Sequence, residues 1–207
     1  MLRSMKVGAQ IAMLALVAGA AAVAQPAPVS TAHTTLVIFA DHPMPPGEWA
    51  ALLSALRTNL DKGGKELEAL DPDAEFVRGD ELRSSLEVHS AITVYLHGDC
   101  SLQPMGRRTA YGVPLGWVRR VDGQIEPFAH VDCTHIAEVI AGRARWFGNQ
   151  RRASVMAGAM ARVILHEWIH IATQNRGHAE NGIAKAHFGI DDLMGDEAHL
   201  SWSGAGQ

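Results

Sequence analysis

The sequence predicts an α+β fold in which a mixed β-sheet packs on a buried helix. Short apolar, β-branched runs fill the first two thirds of the chain, one amphipathic helical pattern interrupts them early, and helical periodicity fills the last third. The predicted order is therefore strand, helix, several strands and then helices. This order is typical of α+β folds rather than of alternating α/β folds.

The first two elements are a strand and a helix. Thr35-Leu36-Val37-Ile38-Phe39 is apolar and β-branched and is followed by Asp41-His42-Pro43, which predicts a buried strand. From Glu48 onward, apolar residues recur at intervals of three and four until Gly63-Gly64. We therefore expect an amphipathic helix that ends at these glycines.

The middle of the chain predicts the rest of the sheet. Residues 76–82 and 91–96 have strand-like composition, and the second run is apolar enough for the interior of a sheet. Residues 115–121 and 124–128 flank Asp122-Gly123, a dipeptide that favours a tight hairpin.

The last third predicts three helices. We expect a short helix at 136–146, a longer one at 151–173 and an amphipathic one at 190–200. From Val155 to Ile171 the longer helix is apolar apart from Arg162 and one polar motif. Because a helix that is apolar on most faces is buried, we expect this helix to lie beneath the sheet.

The N-terminus has the features of a secretory signal peptide. Arg3 and Lys6 precede an uncharged apolar stretch, and Ala22-Val23-Ala24 supplies the small residues of a cleavage site. We expect a signal peptide at 1–24, cleaved after Ala24, a spacer at 25–34 and one domain at 35–207. The product is then secreted or periplasmic and is not a membrane protein, whereas an uncleaved anchor is the alternative.

Charge and cysteine content narrow the class of protein further. The formal net charge is −4 and no Lys/Arg run exceeds two residues, so the basic patch that nucleic-acid binding requires is missing. Cys100 and Cys133 are the only cysteines. In an exported chain they predict one disulfide, and two free buried thiols are the alternative.

The polar motif in the long helix is His166-Glu167-Trp168-Ile169-His170. The i, i+4 spacing places both imidazoles on one helical face, where they can bind one Zn²⁺. Glu167 then projects beside the metal as a general base for a metal-bound water, whose pKa zinc lowers to about 7. Satisfied core histidines are the alternative, although three such side chains are costly to bury without a metal.

Zinc also needs a third protein ligand. His178 is the leading candidate, because Gln174-Asn175-Arg176-Gly177 contains Asn and Gly suited to a left-handed turn that reverses the chain. The alternatives are an acidic residue, Asp192, Asp196 or Glu197, and, with less support, His187.

The pattern H-E-x-x-H-x7-H resembles the metzincins, a group of zincin metallopeptidases. The metzincin pattern is H-E-x-x-H-x-x-G-x-x-H, so the spacer here is two residues longer and Gly177 directly precedes His178. Metzincins carry a methionine turn below the metal, and Met194 is the candidate for it, with filling of the core as the alternative.

A second resemblance extends the first. Residues 178–185, together with the strand-and-hairpin region and its cysteines, are similar to small secreted bacterial zincin-like proteins of unassigned function. This resemblance covers about residues 91–200 and implies a zincin-like fold. In zincins, the strand at the edge of the active-site cleft pairs with an extended peptide. By position, a strand between Ala91 and Phe128 fills this role.

These patterns predict a zinc-dependent metalloendopeptidase that hydrolyses peptide or protein substrates. Glu167 is the expected catalytic residue, and His166, His170 and His178 are the expected zinc ligands. Tyr111 and His130 are candidate hydrogen-bond donors to the oxyanion, without support from spacing. The alternatives are a zincin-like protein that holds zinc without turnover and a metal-free interaction domain.

Overall fold

The architecture is taken from a computed structural model that describes residues 33–82, 90–102 and 113–195. These residues belong to one compact unit. The expected signal peptide and nearly all of the spacer lie outside the described residues, as do Tyr111, Asp196 and Glu197.

Five strands form one mixed sheet in the order β2-β1-β3-β5-β4. β2, β1, β3 and β5 are parallel to one another, whereas β4 pairs with β5 in antiparallel orientation and forms one edge. The α+β class is thus confirmed. The strands are β1 Thr34–Ala40, β2 Glu75–Arg78, β3 Ser90–His97, β4 Gly116–Val121 and β5 Gln124–Asp132.

The described residues form four α-helices, and α3 contacts each of the other three and two strands of the sheet. Its central turns are almost wholly buried, as their apolar sequence predicts. The helices are α1 Pro46–Lys62, α2 Cys133–Ala144, α3 Asn149–Thr173 and α4 Ile190–Met194, and the 3-10 turns are Lys65–Leu67 and Gly79–Glu81. No helix among the described residues is both long enough and apolar enough to cross a bilayer.

Local side-chain contacts explain where some elements differ from their expected bounds. β2 ends at Arg78, where the chain turns into a 3-10 segment and the Arg78 guanidinium binds the Asp80 carboxylate. α2 begins three residues earlier than expected, at Cys133, because the Asp132 carboxylate accepts a hydrogen bond from the His135 N–H at 2.9 Å. Of the helix expected at 190–200, the described part is α4, which ends at Met194. Gly195, the last described residue, lies in a turn.

The two faces of the sheet differ in character. Alternate residues of β1, β3 and β5, such as Ile38, Val94 and Val131, are buried with the helices in one core. The opposite face carries four stacked rings on paired positions of four strands, with centroids 5.1–5.8 Å apart. These rings belong to Phe39, Tyr95, His130 and Trp117.

A disulfide joins the end of the central strand to the start of α2. Cys100 and Cys133 are bonded, with Cα atoms 4.7 Å apart, so the predicted pairing is confirmed. Cys133 is fully buried and its sulfur lies 3.5 Å from that of Met160 in α3. The bridge therefore fixes α2 to the sheet beside the long helix.

Candidate metal centre

Three histidines, two in the C-terminal turns of α3 and one in the segment after it, lie close together. His166 and His170 are 7 % exposed and lie one turn apart on the same helical face. His178 lies in the following segment and is exposed. Each histidine offers one ring nitrogen, and the three nitrogens all lie within 4.8 Å of one another. They can therefore hold one metal ion.

The chain reversal that returns His178 to the helix begins at Gln174. The expected left-handed residue was Asn175 or Gly177, but Gln174 adopts this conformation, with φ 53° and ψ 25°. Its side-chain amide accepts from the Ile125 N–H at 2.8 Å and donates to the Ile125 carbonyl at 3.1 Å. The hydrogen bonds to β5 thus stabilise a backbone conformation that is uncommon for Gln. Turn preferences of neighbouring residues do not include such a contact with a distant strand.

Backbone carbonyls orient the two helical imidazoles. Nδ1 of His166 lies 2.7 Å from the Ile183 carbonyl, and Nδ1 of His170 lies 2.6 Å from the Asn175 carbonyl. Because a carbonyl oxygen only accepts, each Nδ1 carries the hydrogen. In the neutral form of each ring, Nε2 then carries a free lone pair, and this is the tautomer that binds a metal through Nε2.

The two Nε2 atoms face each other at 3.1 Å. With both ring hydrogens on Nδ1, no N–H remains to form a hydrogen bond between them, and two lone pairs at this distance repel. Two nitrogen ligands of a tetrahedral zinc, each about 2.0–2.1 Å from the ion, lie about 3.3–3.4 Å apart. The observed separation and the all-imidazole donor set therefore fit a zinc-like cation.

The ring of His178 completes the group. It is stacked on His166, with centroids 5.3 Å apart, and meets His170 edge to face at 4.9 Å. Phe188 contacts His166 edge to face, at 5.4 Å. Residues of the helix and of the segment after it thus form the site together.

Burial and neighbouring imidazoles lower the pKa of His166 and of His178. Burial lowers the pKa of His166 to about 4, although the Ile183 carbonyl opposes the shift. Burial and the neighbouring His170 also lower the pKa of His178. Because a metal binds only the unprotonated ring, these two shifts favour ligation.

Glu167 lies between the helix and the edge strand. Its side chain is 4 % exposed, and burial raises its pKa to about 8. The close approach depends on Gly116 in β4, where an added Cβ would lie 2.8 Å from Oε1 of Glu167 and 2.7 Å from Val163. A buried carboxyl with a raised pKa can both accept and return a proton near neutral pH.

Two of the alternative ligands do not belong to the histidine group. The Asp192 carboxylate binds the Lys185 ammonium at 2.5 Å and the Gly189 N–H at 2.6 Å, and His187 is not part of the metal-ligating group. Asp196 and Glu197 lie outside the described residues. Met194 is 2 % exposed in the core, and its role as a methionine turn stays a prediction.

The candidate oxyanion donor His130 is not in this site. Its ring stacks on Trp117, on the sheet face opposite the helices, whereas Glu167 contacts β4 from the helix face. Strand alternation explains the error, because Ala129 and Val131 are the buried neighbours of His130.

A further group of metal-ligating types lies at the start of β1. His33, Asp71 and Asp73 have ligand atoms within 4.8 Å of one another. The Asp71 carboxylate, however, already accepts hydrogen bonds from the Thr34 and Asp73 N–H groups. Because His33 and Asp73 are exposed and the Asp71 carboxylate binds backbone N–H groups, we interpret these residues as part of a turn and not as a metal site.

Several residues that shape the site carry no chemical motif. The carbonyls of Asn175 and Ile183 orient the ligands, and Gly116 admits Glu167. Of these residues, only Gly116 gave a sequence signal, through its position at the start of the predicted hairpin.

No protein family model, curated protein or solved structure matches the chain.

Proposed function

We propose that this chain is an exported, zinc-dependent metallopeptidase of the zincin type. The observation that carries the proposal is the pair of facing Nε2 atoms whose Nδ1 hydrogens are both engaged. The buried carboxyl of Glu167, the residue after His166 in the helix, supplies the proton acceptor that a hydrolase needs. The disulfide and the signal-peptide pattern are compatible with export.

The residues have separate roles in this proposal. His166, His170 and His178 hold the ion, which when bound lowers the pKa of a coordinated water and polarises the scissile carbonyl. Glu167 accepts a proton from the attacking water and donates it to the leaving amine. Its raised pKa and low exposure favour both transfers, because proton exchange with bulk water is limited.

The substrate-binding element in this proposal is β4. It is an edge strand of the sheet and contacts Glu167 through Gly116. Backbone groups on its outer edge can pair with an extended peptide, which places a peptide bond close to Glu167 and the histidines. A peptide or protein is therefore the proposed substrate.

The test is peptide cleavage by the mature protein and by Glu167→Gln. The amide has nearly the same shape but is not a base, so we expect cleavage to fall by about 10²–10⁴-fold with zinc content unchanged. Cleavage of a peptide library is read by mass spectrometry. Stoichiometric zinc without cleavage by wild type would instead support a zinc-binding protein without turnover, and no bound zinc would contradict both functions.

A further inference from the structure

The segment that carries His178 closes into a loop. The Ala179 N–H donates to the Ala184 carbonyl at 2.9 Å, and Ala179 pairs with Lys185. Gly182 lies between them with φ +78°, a conformation that most residues adopt only with strain. The loop thus has a defined geometry with Ile183 near its tip.

A carboxylate from the first half of the chain contacts this tip. Glu66, in the 3-10 turn after α1, accepts a hydrogen bond from the Ile183 N–H at 2.8 Å, across 117 residues of sequence. The contact also requires glycine at 182, because an added Cβ there would overlap the Glu66 carboxylate. Both the backbone conformation and the missing side chain of Gly182 therefore suit the approach of Glu66.

The other polar group of Ile183 contacts the metal centre. Its carbonyl accepts the Nδ1 hydrogen of His166 at 2.7 Å. Ile183 is therefore held by Glu66 through its N–H and holds His166 through its carbonyl. We propose that Glu66 is a positioning residue of the metal centre, which fixes the ligating tautomer of His166 through the backbone of Ile183.

The physical reason lies in the tautomer of His166. The Nδ1 hydrogen leaves Nε2 free for the ion only while a carbonyl accepts it. A charge-assisted hydrogen bond to a backbone N–H is roughly twice as strong as a neutral one, so the Glu66 carboxylate restrains the loop more than an amide would. Without it, Ile183 can move away and the hydrogen can transfer to Nε2, where it blocks ligation.

The first experiment measures zinc affinity by competition with a chromophoric chelator. We expect Glu66→Ala to weaken zinc binding by about 10-fold, in the range found for residues that orient metal ligands. Glu66→Gln keeps an acceptor oxygen, so its affinity should lie closer to wild type than to Glu66→Ala. Glu68→Ala, on the same exposed turn, is the matched control for loss of one negative charge and should bind zinc as wild type does.

The second experiment reads the His166 tautomer without metal, by long-range ¹H–¹⁵N NMR of the imidazole. Wild type should show the hydrogen on Nδ1, and Glu66→Ala should show a mixture of both tautomers. Unchanged affinity and tautomer in Glu66→Ala would overturn the proposal, even if its melting temperature fell. An equal loss of affinity in Glu68→Ala would overturn it as well.

The inference rests on the proposed metal site but not on peptide cleavage. If wild type binds zinc and cleaves nothing, the effect of Glu66 on zinc affinity is still expected. If wild type binds no zinc, the proposed function fails, and the NMR measurement still decides whether Glu66 fixes the tautomer of His166.

Discussion

Two pairs of histidines lie on opposite faces of the sheet, and each pair has ring nitrogens about one hydrogen bond apart. Nε2 of His166 and Nε2 of His170 are 3.1 Å apart, and Nε2 of His97 and Nδ1 of His130 are 2.9 Å apart. The distance between the nitrogens does not distinguish the two pairs. The hydrogen-bond partners of the other ring nitrogens distinguish them.

The surface pair can satisfy itself. Nδ1 of His97 lies 3.3 Å from the Asp41 carboxylate, which accepts its hydrogen and leaves Nε2 as an acceptor. Nδ1 of His130 then donates to Nε2 of His97 in an ordinary hydrogen bond. We therefore expect Asp41, His97 and His130, the surface histidine cluster, to be stable without a metal.

The buried pair cannot do this, because both Nδ1 hydrogens are donated to carbonyls. The two regions teach that a histidine pair predicts a metal when its hydrogens are engaged elsewhere and a third ligand lies within reach. β4 contributes to both regions, since Gly116 faces Glu167 and the neighbouring Trp117 stacks on His130.

The largest expected difference is in metal binding. Removing a zinc ligand should cost more than the roughly 10–100-fold found for residues that only orient ligands, so His170→Ala should weaken zinc binding by more than about 100-fold. His130→Ala, the matched change on the other face, should leave affinity unchanged. Chelator competition measures both, and equal losses would remove the distinction between the pairs.

Adjacent substitutions in β4 sharpen the comparison. In Gly116→Ala the added Cβ contacts the Glu167 carboxyl and shifts it. A displacement of about 1 Å at a reacting group can cost about 100-fold, so we expect a large fall in kcat for peptide cleavage with zinc affinity preserved. Trp117→Ala should disturb only the ring stack. A full loss of zinc in Gly116→Ala would contradict the assigned role of this glycine.

The stability of the metal-free protein should depend on pH in opposite ways for Glu167 and for the histidines with lowered pKa. Glu167 has its pKa raised from 4.5 to about 8, so between these values the folded state holds more protons than the unfolded state. Its contribution to the free energy of unfolding therefore falls as pH rises, by at most about 1.4 kcal/mol per pH unit.

The histidines with lowered pKa, which are His130, His166 and His178, act in the opposite direction below their ordinary pKa of 6.5. The effect of Glu167 should therefore be clearest from pH 6.5 to 8. Urea unfolding in a chelator should show falling stability across this window for wild type and a flatter profile for Glu167→Gln. Identical profiles would mean that the Glu167 pKa is not raised.

The smallest effect concerns the surface histidine cluster. His97→Ala removes its hydrogen bonds with Asp41 and His130, and we expect a loss of about 0.5–1.5 kcal/mol in the free energy of unfolding. Zinc content and peptide cleavage should not change. A loss of zinc in this variant would show that the two faces are coupled.

Local patterns predicted much of this architecture, because apolar periodicity determines which helical and strand faces are buried. His166, Glu167 and His170 share one helix, so a spacing of four was enough to group them. Apart from the Cys100–Cys133 disulfide, contacts between distant segments were not predictable. The left-handed Gln174 depends on Ile125, the approach of Glu167 on Gly116, and the orientation of His166 on a loop held by Glu66.

The most direct test of the proposed metal centre is zinc-edge X-ray absorption on the purified protein, with His178→Ala as the comparison. We predict one zinc per chain, with three imidazole nitrogens at about 2.0–2.1 Å and one oxygen ligand in wild type. The variant should lose one imidazole from the spectrum. Absence of bound zinc, or a spectrum that His178→Ala leaves unchanged, would contradict the assignment of His166, His170 and His178 as the ligands.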